Sequence, residues 1–421
     1  MERTSKAHAI AAAVGCALIL TTGTGTTTVL NAMIPDLLEG THATLSVFMI
    51  GPTLATIGAF LGSLVATKAI DKLTPKYSLL IGSVTVSLVL AIIAMATNVY
   101  LWIVANVLNG IVLSFGAHAA ASGVVSRFFG KKTQSAYGFV AGGYYVLTAL
   151  EVFLVAYFLS ITDYRTTIWI FSGLSLLVGV FANLVLIGKV PKLPEETDDA
   201  PVEEKILVGI TLKEALRTPS FYLLCAVIFL GAWALDGTSA FSTVFFTAHG
   251  VSPADAAAFL GVHTMFGAIL MIAAGVITNR FGCRTTAFLV FACYGIGIGL
   301  LLTWAQTGAL PLVYVGMAFT STILMVSILS SLFIPDLFGL KDYVSINAAV
   351  MSAYFLGNAT AMISLGGISE ALGVDMAFVV IVALVVVATI CMLASYALRP
   401  MKNAMASSVP SDTDARLEKK L

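Results

Sequence analysis

The sequence predicts an all-α integral membrane protein in which twelve transmembrane helices form two pseudo-symmetric six-helix bundles. The composition, a repeated turn and the distribution of basic residues each support this fold class. Of the 421 residues, 59% are hydrophobic and 10% are charged, and the mean hydropathy is +0.98. A soluble protein of this length would not bury so much apolar surface, whereas membrane spans of about 20 residues each account for it.

Two short polar turns repeat across the middle of the chain. Residues 69–76 read AIDKLTPK, and residues 278–284 read TNRFGCR. Each contains, in order, an acid or its amide, a base, an apolar residue, a turn residue, any residue and a second base. Asp71 and Asn279 are 208 positions apart (279 − 71 = 208), close to half of the 421 residues. A repeat of this length in an apolar chain indicates a duplicated helical bundle.

The apolar segments give the spans in chain order, separated by polar or turn-forming residues. The first six are expected at 9–34, 43–67, 77–97, 101–125, 135–160 and 166–188. The last six are expected at 219–245, 255–278, 285–305, 309–333, 345–368 and 375–398. The chain therefore divides into an N-terminal bundle (1–188), a linker (189–218), a C-terminal bundle (219–400) and a disordered tail (401–421). Prolines and an acidic run in the linker are typical of flexible segments.

The basic residues alternate with these spans. If the N-terminus is cytoplasmic, only Arg165 falls outside, so 21 of the 22 lysines and arginines (22 − 1 = 21) lie on the inner side. By the positive-inside rule, both termini and the linker are then cytoplasmic, and the protein is a multi-pass protein of the plasma (inner) membrane. One missing helix would destroy this alternation, so it also supports an even number of spans.

The composition argues against several other classes. The net charge is zero, the bases are spread over loops, and no nucleic-acid-binding motif is present. The five cysteines show neither metal-binding spacing nor a disulfide framework. No ATP-binding motif, HExxH motif or nucleophile elbow occurs. We expect no enzyme, metal, cofactor or nucleic-acid partner; the expected partners are the lipid bilayer and a small-molecule solute.

The repeated turns resemble the loops that follow the second and eighth helices of major facilitator transporters. In that family, an acid at the helix end interacts with bases of the loop and holds the inner gate, which implies a gating loop here. The matching positions are Asp71, Lys72, Lys76, Asn279, Arg280 and Arg284. Thr74 replaces the usual glycine of the first turn, and Asn279 replaces the acid of the second. We therefore expect the stronger charge latch in the N-terminal half.

A second stretch resembles the monocarboxylate-porter signature at the start of the fifth helix. Residues 128–143 read FFGKKTQSAYGFVAGG. Residues 216–221 (LRTPSF) and 358–361 (NATA) are similar to the bacterial oxalate/formate antiporter branch. The resemblance implies a transporter that works as a monomer. Where the oxalate antiporter has a lysine in the eleventh helix and an arginine in the eighth, this chain has Asn358 and Met271, so we do not expect oxalate as substrate.

Ionisable residues inside the spans are functional candidates, because they are costly in a bilayer. The proton-coupling candidates are Glu151, Asp236 and His263. Asp236 and His263 lie at similar depth on consecutive helices, so we expect them to pair. Such a pair either carries a proton or ties the two helices together. Glu151 is interpreted either as a lone proton site or as a polar contact near the outer loop.

The substrate-binding candidates are polar or aromatic residues of four spans: Thr21, Thr24, Thr28, His118, Tyr144, Tyr145, Tyr354 and Asn358. The three threonines share one helix face and either line a cavity or bond back to their own helix. For His118, which lies among small residues, substrate contact and helix packing remain equal alternatives. The tyrosines and Asn358 suit a monocarboxylate or a neutral organic solute, with ordinary packing as the alternative.

Together these features predict a secondary active transporter that moves a small organic solute by alternating access. A monocarboxylate is the expected substrate and protons are the expected coupling ions. The alternatives are an anion exchanger, an efflux transporter for a neutral or cationic compound, and a membrane sensor that binds a solute without moving it.

Overall fold

Twelve apolar helices form the described part of the protein. The computed structural model describes residues 6–116, 118–129, 133–191, 209–339 and 341–400. Within these, only the backbone is described at positions 24, 63–73, 114–116, 118–119, 133–135, 275, 279 and 344. Eleven helices are long and apolar enough to cross a membrane, and Val99–Leu113 is a shorter apolar helix. These twelve confirm the predicted number of helices and the predicted fold class.

The N-terminal half contains helices 1 to 6. Helix 1 runs from Lys6 to Ala32 and is interrupted by a π-helical segment, Thr21–Gly25. Two short helices, Ile34–Thr41 and Leu45–Phe48, lead into one long helical stretch that holds helices 2 and 3, Ile50–Ala94. Helix 4 comprises Val99–Gly116 and His118–Phe129, helix 5 is Thr133–Ile161, and helix 6 is Tyr164–Phe181 with a π-helical end, Ala182–Ile187.

The C-terminal half contains helices 7 to 12. Before it, Thr211 forms a capping box with Glu214 that starts a one-turn helix, Leu212–Ala215. Helix 7 is Pro219–Ala248, helix 8 is Pro253–Phe281 and helix 9 is Cys283–Thr307. Helix 10 comprises Pro311–Thr320, a 3-10 segment Ser321–Met325 and Val326–Phe338. Helix 11 is Tyr343–Leu372 and helix 12 is Val374–Ala397.

The two repeated turns have the same backbone conformation at the same repeat position. Thr74 has φ 61° and ψ 149°, and Gly282 has φ 78° and ψ 155°. The two residues are 208 positions apart (282 − 74 = 208), the same spacing as Asp71 and Asn279. A positive φ is easy for glycine and strained for a β-branched residue. The chain is helical on both sides of Thr74. The first turn is therefore shorter than the interval between the predicted spans 43–67 and 77–97.

Glycines bring two pairs of helices into close contact around the centre of the bundle. A methyl group on Gly110 of helix 4 would overlap the carbonyl oxygen of Ala55 in helix 2. A methyl group on Gly357 of helix 11 would overlap the carbonyl oxygen of Phe229 in helix 7. Lipid tails are as apolar as the helix surfaces, so the hydrophobic effect does not drive membrane helices together. Small residues let the helix backbones approach closely and pack against each other. Helices 2, 4, 7 and 11 are therefore held as two tight pairs, one in each half.

The two ends of the bundle differ in their polar contacts. At the basic end, which carries Lys76 and Arg284, the Lys76 ammonium donates to the carbonyl of Gly188. At the distal end, which carries Ser46 and Glu370, the Glu370 carboxylate accepts hydrogen bonds from the backbone N–H and the hydroxyl of Ser46, both at 2.8 Å. The Lys76 contact lies within the N-terminal half, whereas the Glu370 contact joins the two halves.

Candidate functional site

A cavity of 140 Å³ lies between the two halves, from the middle of the bundle towards the distal end. Helices 1, 2 and 4 form its N-terminal wall, and helices 7 and 11 contribute Asp236 and Met362 from the other half. Its polar lining consists of Thr27, Asn31, Thr56, Asn106, Asn109 and Asp236. In the part of the chain that the structure describes, no lysine, arginine or histidine lines this cavity. The cavity thus combines apolar surface with polar groups and contains one acid without a basic partner in its described lining.

Asp236 is the ionisable residue that faces this cavity. It lies in helix 7, and its side chain is partly accessible although the helix is packed on its other faces. The side of helix 7 that carries the neighbouring Gly237 faces helices 11 and 12, because a methyl group on Gly237 would overlap Leu365. Asp236 is close enough to Tyr354 of helix 11 to interact with it electrostatically. A carboxyl in this position is available to a solute or a proton that enters the cavity.

One face of helix 4 forms the amide wall of the cavity. Trp102, Asn106 and Asn109 are spaced four and three residues apart, so they share a helix face. The Trp102 indole is fixed from the other side, because it donates to the carbonyl of Phe48 at 2.9 Å and stacks on the Phe48 ring at 4.4 Å. The Asn106 amide donates to the carbonyl of Trp102 at 3.0 Å. The Asn109 Oδ1 atom is buried and has no hydrogen-bond partner among the described residues.

None of the residues of this amide wall is among the predicted binding residues. The predicted residues are ionisable, hydroxyl-bearing or aromatic side chains, with Asn358 as the one amide. The signal was nevertheless present: two amides three residues apart in an otherwise apolar span point the same way and require polar partners. Asn31 and Thr27 of helix 1 were missed in the same manner.

The threonines of helix 1 are placed differently from the expectation. Thr21 is buried and donates to the carbonyl of Ala17 at 2.9 Å, so it bonds back to its own helix. Thr28 is half-buried, and the side chain of Thr24 lies outside the described residues. Each π-helical turn contains one residue more than an α-helical turn, which rotates the following face of the helix. Thr27, rather than Thr21 or Thr28, lines the cavity.

His263 and Asp236 do not pair, in contrast to the expectation. His263 is fully buried, and its Nδ1 lies 3.1 Å from Thr320 Oγ1 in helix 10. The Thr320 hydroxyl donates its proton to the carbonyl of Met317 at 3.0 Å, so Nδ1 of His263 is the donor in this contact. The face of helix 8 that carries His263 therefore packs on helix 10, away from the cavity wall that carries Asp236.

Glu151 lies against the π-helical segment of helix 1. A methyl group on Gly25 would lie 3.1 Å from Glu151 Oε2 and 2.9 Å from Thr148 Oγ1. Glu151 is buried and is not part of the described cavity lining. Its structural setting is therefore the contact between helices 1 and 5, where helix 1 departs from α-helical geometry. The side chain of His118 lies outside the described residues.

Of the tyrosines predicted as substrate contacts, Tyr354 lies near Asp236, and Tyr144 and Tyr145 lie near Tyr354. The rings of Tyr144 and Tyr145 are 4.7 Å apart, and both interact electrostatically with Tyr354. Tyr145 lies near Ser327 of helix 10, and Tyr354 lies near Asn358. Three aromatic residues from helices 5 and 11 thus meet next to the acid of helix 7. They lie outside the described lining of the cavity itself.

The residues of the predicted gating loops have mixed placements. Besides the Lys76 contact with Gly188, the Asn183 amide donates to the carbonyl of Lys76 at 2.9 Å. Arg280 is exposed, and Arg284 lines a surface cleft together with Asp336 and Arg399. The side chains of the remaining three positions, Asp71, Lys72 and Asn279, lie outside the described residues.

Further hydrogen bonds between the halves lie at or towards the distal end. Besides the two Ser46–Glu370 bonds, the Thr243 hydroxyl of helix 7 donates to the carbonyl of Asn31 at 2.9 Å. Gly366 of helix 11 allows close approach, because a methyl group there would lie 3.0 Å from the Ser46 Cα atom. These contacts close the cavity towards the distal end. Among the described residues, no group of three or more His, Cys, Asp or Glu is placed to hold a metal ion.

The comparisons with known proteins agree with this architecture. The family model of the Major Facilitator Superfamily matches residues 15–339. The fold is similar to that of a bacterial homologue of the human lysosomal transporter Spinster, solved in an inward-facing, unoccupied conformation (TM-score 0.74, 15% identity, 94% of this chain and 98% of the other). It is also similar to the nucleoside transporter NupG (TM-score 0.68, 13% identity, 92% and 99%). No curated protein sequence matches the chain.

Proposed function

The chain belongs to the Major Facilitator Superfamily, a family of membrane transporters, and from this premise we propose that it carries a small organic solute by alternating access, with Asp236 as the proton carrier. The observation that carries the proposal is the position of Asp236, an acid in the lining of a cavity where the two halves meet. An ionised carboxylate without a basic partner is costly inside a membrane bundle, so this position favours Asp236 bearing either a proton or a positively charged solute.

The contacts between the halves support alternating access. The Glu370–Ser46 hydrogen bonds and the Thr243–Asn31 hydrogen bond each join one residue of each half at or near the distal end. Rigid-body rocking of the halves would break all of them together. The tight helix pairs within each half would remain intact, because their contacts do not cross between the halves.

The nature of the solute follows from the charge of the cavity. The resemblance of residues 128–143 to the monocarboxylate-porter signature supports a monocarboxylate, which would have to enter together with a proton. The cavity favours the alternative of a neutral or cationic solute, because its described lining offers Asp236 and amides but no base. For the same reason, exchange of one anion for another is the alternative that this cavity supports least.

We further propose that the basic end faces the cytoplasm and that the protein is located in the plasma membrane, with both termini cytoplasmic. The support is the distribution of basic residues, of which Arg165 alone falls among the distal loops by the predicted topology. In this orientation, the described arrangement is closed towards the outside.

The test is solute flux in proteoliposomes with and without an inward proton gradient. The panel contains formate, lactate, small neutral polyols and small amines. A proton gradient is expected to drive net flux of at least one of these solutes, and Asp236→Asn is expected to abolish this drive. Asp255→Asn, which replaces an acid in the first turn of helix 8, is the matched control and should retain it.

Two outcomes would contradict the proposal. Gradient-driven flux that survives Asp236→Asn would assign the proton to another group, with Glu151 as the next candidate. Flux that is indifferent to the gradient but accelerated by preloaded solute would show exchange rather than proton coupling.

A further inference from the structure

We propose that the solute is a small organic cation whose ammonium group binds between Asp236, Asn109 and the ring of Trp102. This inference rests on the proposed function of the same cavity and specifies its substrate class. Three observations carry it: unpaired hydrogen-bond acceptors, a fixed aromatic ring and the size and charge of the cavity.

The unpaired polar atoms of the cavity are acceptors. Asn109 Oδ1 is buried without a partner among the described residues, and Asn109 lines the cavity. An ionised Asp236 carboxylate offers two more acceptor atoms from the opposite wall. Buried acceptors without donors cost free energy until a ligand donates to them. A ligand that satisfies both walls must therefore be a donor, and an ammonium group has three N–H donors and no acceptor.

The aromatic wall is suited to a cation and is already in position. Trp102 lines the cavity, and its orientation is fixed by the hydrogen bond to the carbonyl of Phe48 and by stacking on the Phe48 ring. An indole is the side chain that attracts a cation most strongly through its π face, and because Phe48 covers one face of Trp102, the cation would have to reach the other face. Because Trp102 does not need to reorganise, little conformational entropy is lost when a ligand binds against it.

The size and remaining lining of the cavity limit the ligand to a compact apolar body. Leu30, Pro52 and Met362 provide apolar surface beside the polar groups. The cavity has a volume of 140 Å³. A cavity of about 150 Å³ is known to accept a benzene-sized molecule. An amine on a small ring or a short branched chain is compatible with this volume and lining.

The cation and the proton would then compete for one carboxyl group. When the cation binds a protonated Asp236, the carboxyl O–H bond breaks and the proton leaves to water. The carboxylate that remains pairs with the ammonium group. One positive charge replaces another, so Asp236 and its bound partner are neutral together in both states. Competition of this kind makes the protein an exchanger of protons for organic cations.

The experiment compares three ligands with the same ring in purified, detergent-solubilised protein: cyclohexylamine, cyclohexanol and cyclohexanecarboxylate. Binding is measured by calorimetry at neutral pH, where the amine is protonated. We expect cyclohexylamine to bind about tenfold or more tightly than cyclohexanol, as hydrogen bonds to a charged acceptor require. Asp236→Asn should remove this preference while leaving cyclohexanol affinity within about threefold. Asn109→Ala should reduce it in the same direction.

Two further variants keep the result interpretable. Asp236→Glu retains the charge and should keep the preference for the amine, even if Asp236→Asn does not fold. Glu39→Gln replaces an exposed acid outside the cavity and should bind all three ligands like the parent protein.

Equal binding of amine and alcohol, tighter binding of the carboxylate, binding of none of the three, or an amine preference that survives Asp236→Asn would each overturn the inference. If the preference fails while gradient-driven flux still depends on Asp236, only the substrate class is wrong. If amine binding depends on Asp236 but no solute follows the proton gradient, the site is right and the proposed proton-coupled transport is wrong.

Discussion

The hydrogen bonds between Glu370 and Ser46 should control how often the distal end opens. The two Glu370 oxygens accept from the backbone N–H and the hydroxyl of Ser46, each at 2.8 Å. Glu370 thereby caps the short helix Leu45–Phe48 of the other half. Loss of a helix-capping side chain costs about 1 kcal/mol. Because this cap exists only when the distal end is closed, Glu370→Ala should shift the ratio of open to closed molecules about fivefold.

The measurement is the distance distribution between two spin labels at the distal end, one on each half. Glu39 and Leu372 are exposed positions suitable for the labels. Glu370→Ala should increase the long-distance population, and Glu370→Gln should do so less, because an amide oxygen still accepts from Ser46. The native cysteines are replaced beforehand to keep labelling specific.

Asp163→Ala is the matched control for this experiment. Asp163 caps helix 6 through the same pair of groups, accepting from the backbone N–H of Thr166 at 3.1 Å and from its hydroxyl at 2.6 Å. Both residues belong to one half, so this variant should lower thermal stability without changing the distance ratio. An unchanged ratio in Glu370→Ala, or an equal shift in Asp163→Ala, would refute the reasoning.

Three further predictions concern stability, measured by thermal unfolding in detergent. Thr74→Gly should stabilise the protein by up to about 1 kcal/mol, because φ is 61° at Thr74, whereas Gly282→Thr should destabilise it. Lys76→Ala should lower the free energy of unfolding by about 1 kcal/mol, because the hydrogen bond to the Gly188 carbonyl is lost. An unchanged unfolding transition would show that this contact does not contribute to stability. Burial raises the pKa of Asp36 to about 6 from its ordinary 3.8, so folding favours its neutral form and stability falls as pH rises through this window. Asp36→Asn should therefore be stabilising at pH 7.5 and neutral near pH 4; a gain at both values would argue against a titration effect.

The sequence alone determined the number of helices, their approximate bounds and the internal repeat. Hydropathy is a local property, and about 20 apolar residues in a row have few alternatives to a membrane helix. The repeat predicted from residues 69–76 and 278–284 reappears as the shared conformation of Thr74 and Gly282, with positive φ and extended ψ. Turn geometry is likewise encoded locally, so an offset of 208 residues could be recognised without the structure.

Which polar residues meet in the cavity was decided only by the tertiary structure. The helices are apolar on all sides, since lipid-facing Leu177 and Val276, both 71% exposed, resemble core residues. Rotation of each helix about its axis is then not specified by the hydrophobic pattern. The sequence predicted that Asp236 and His263 lie at a similar depth in the membrane. In the structure, helix 8 packs on helix 10, so His263 contacts Thr320, whereas Asp236 lines the cavity. A local pattern fixes depth in the membrane, whereas the direction of a side chain depends on contacts with helices distant in sequence.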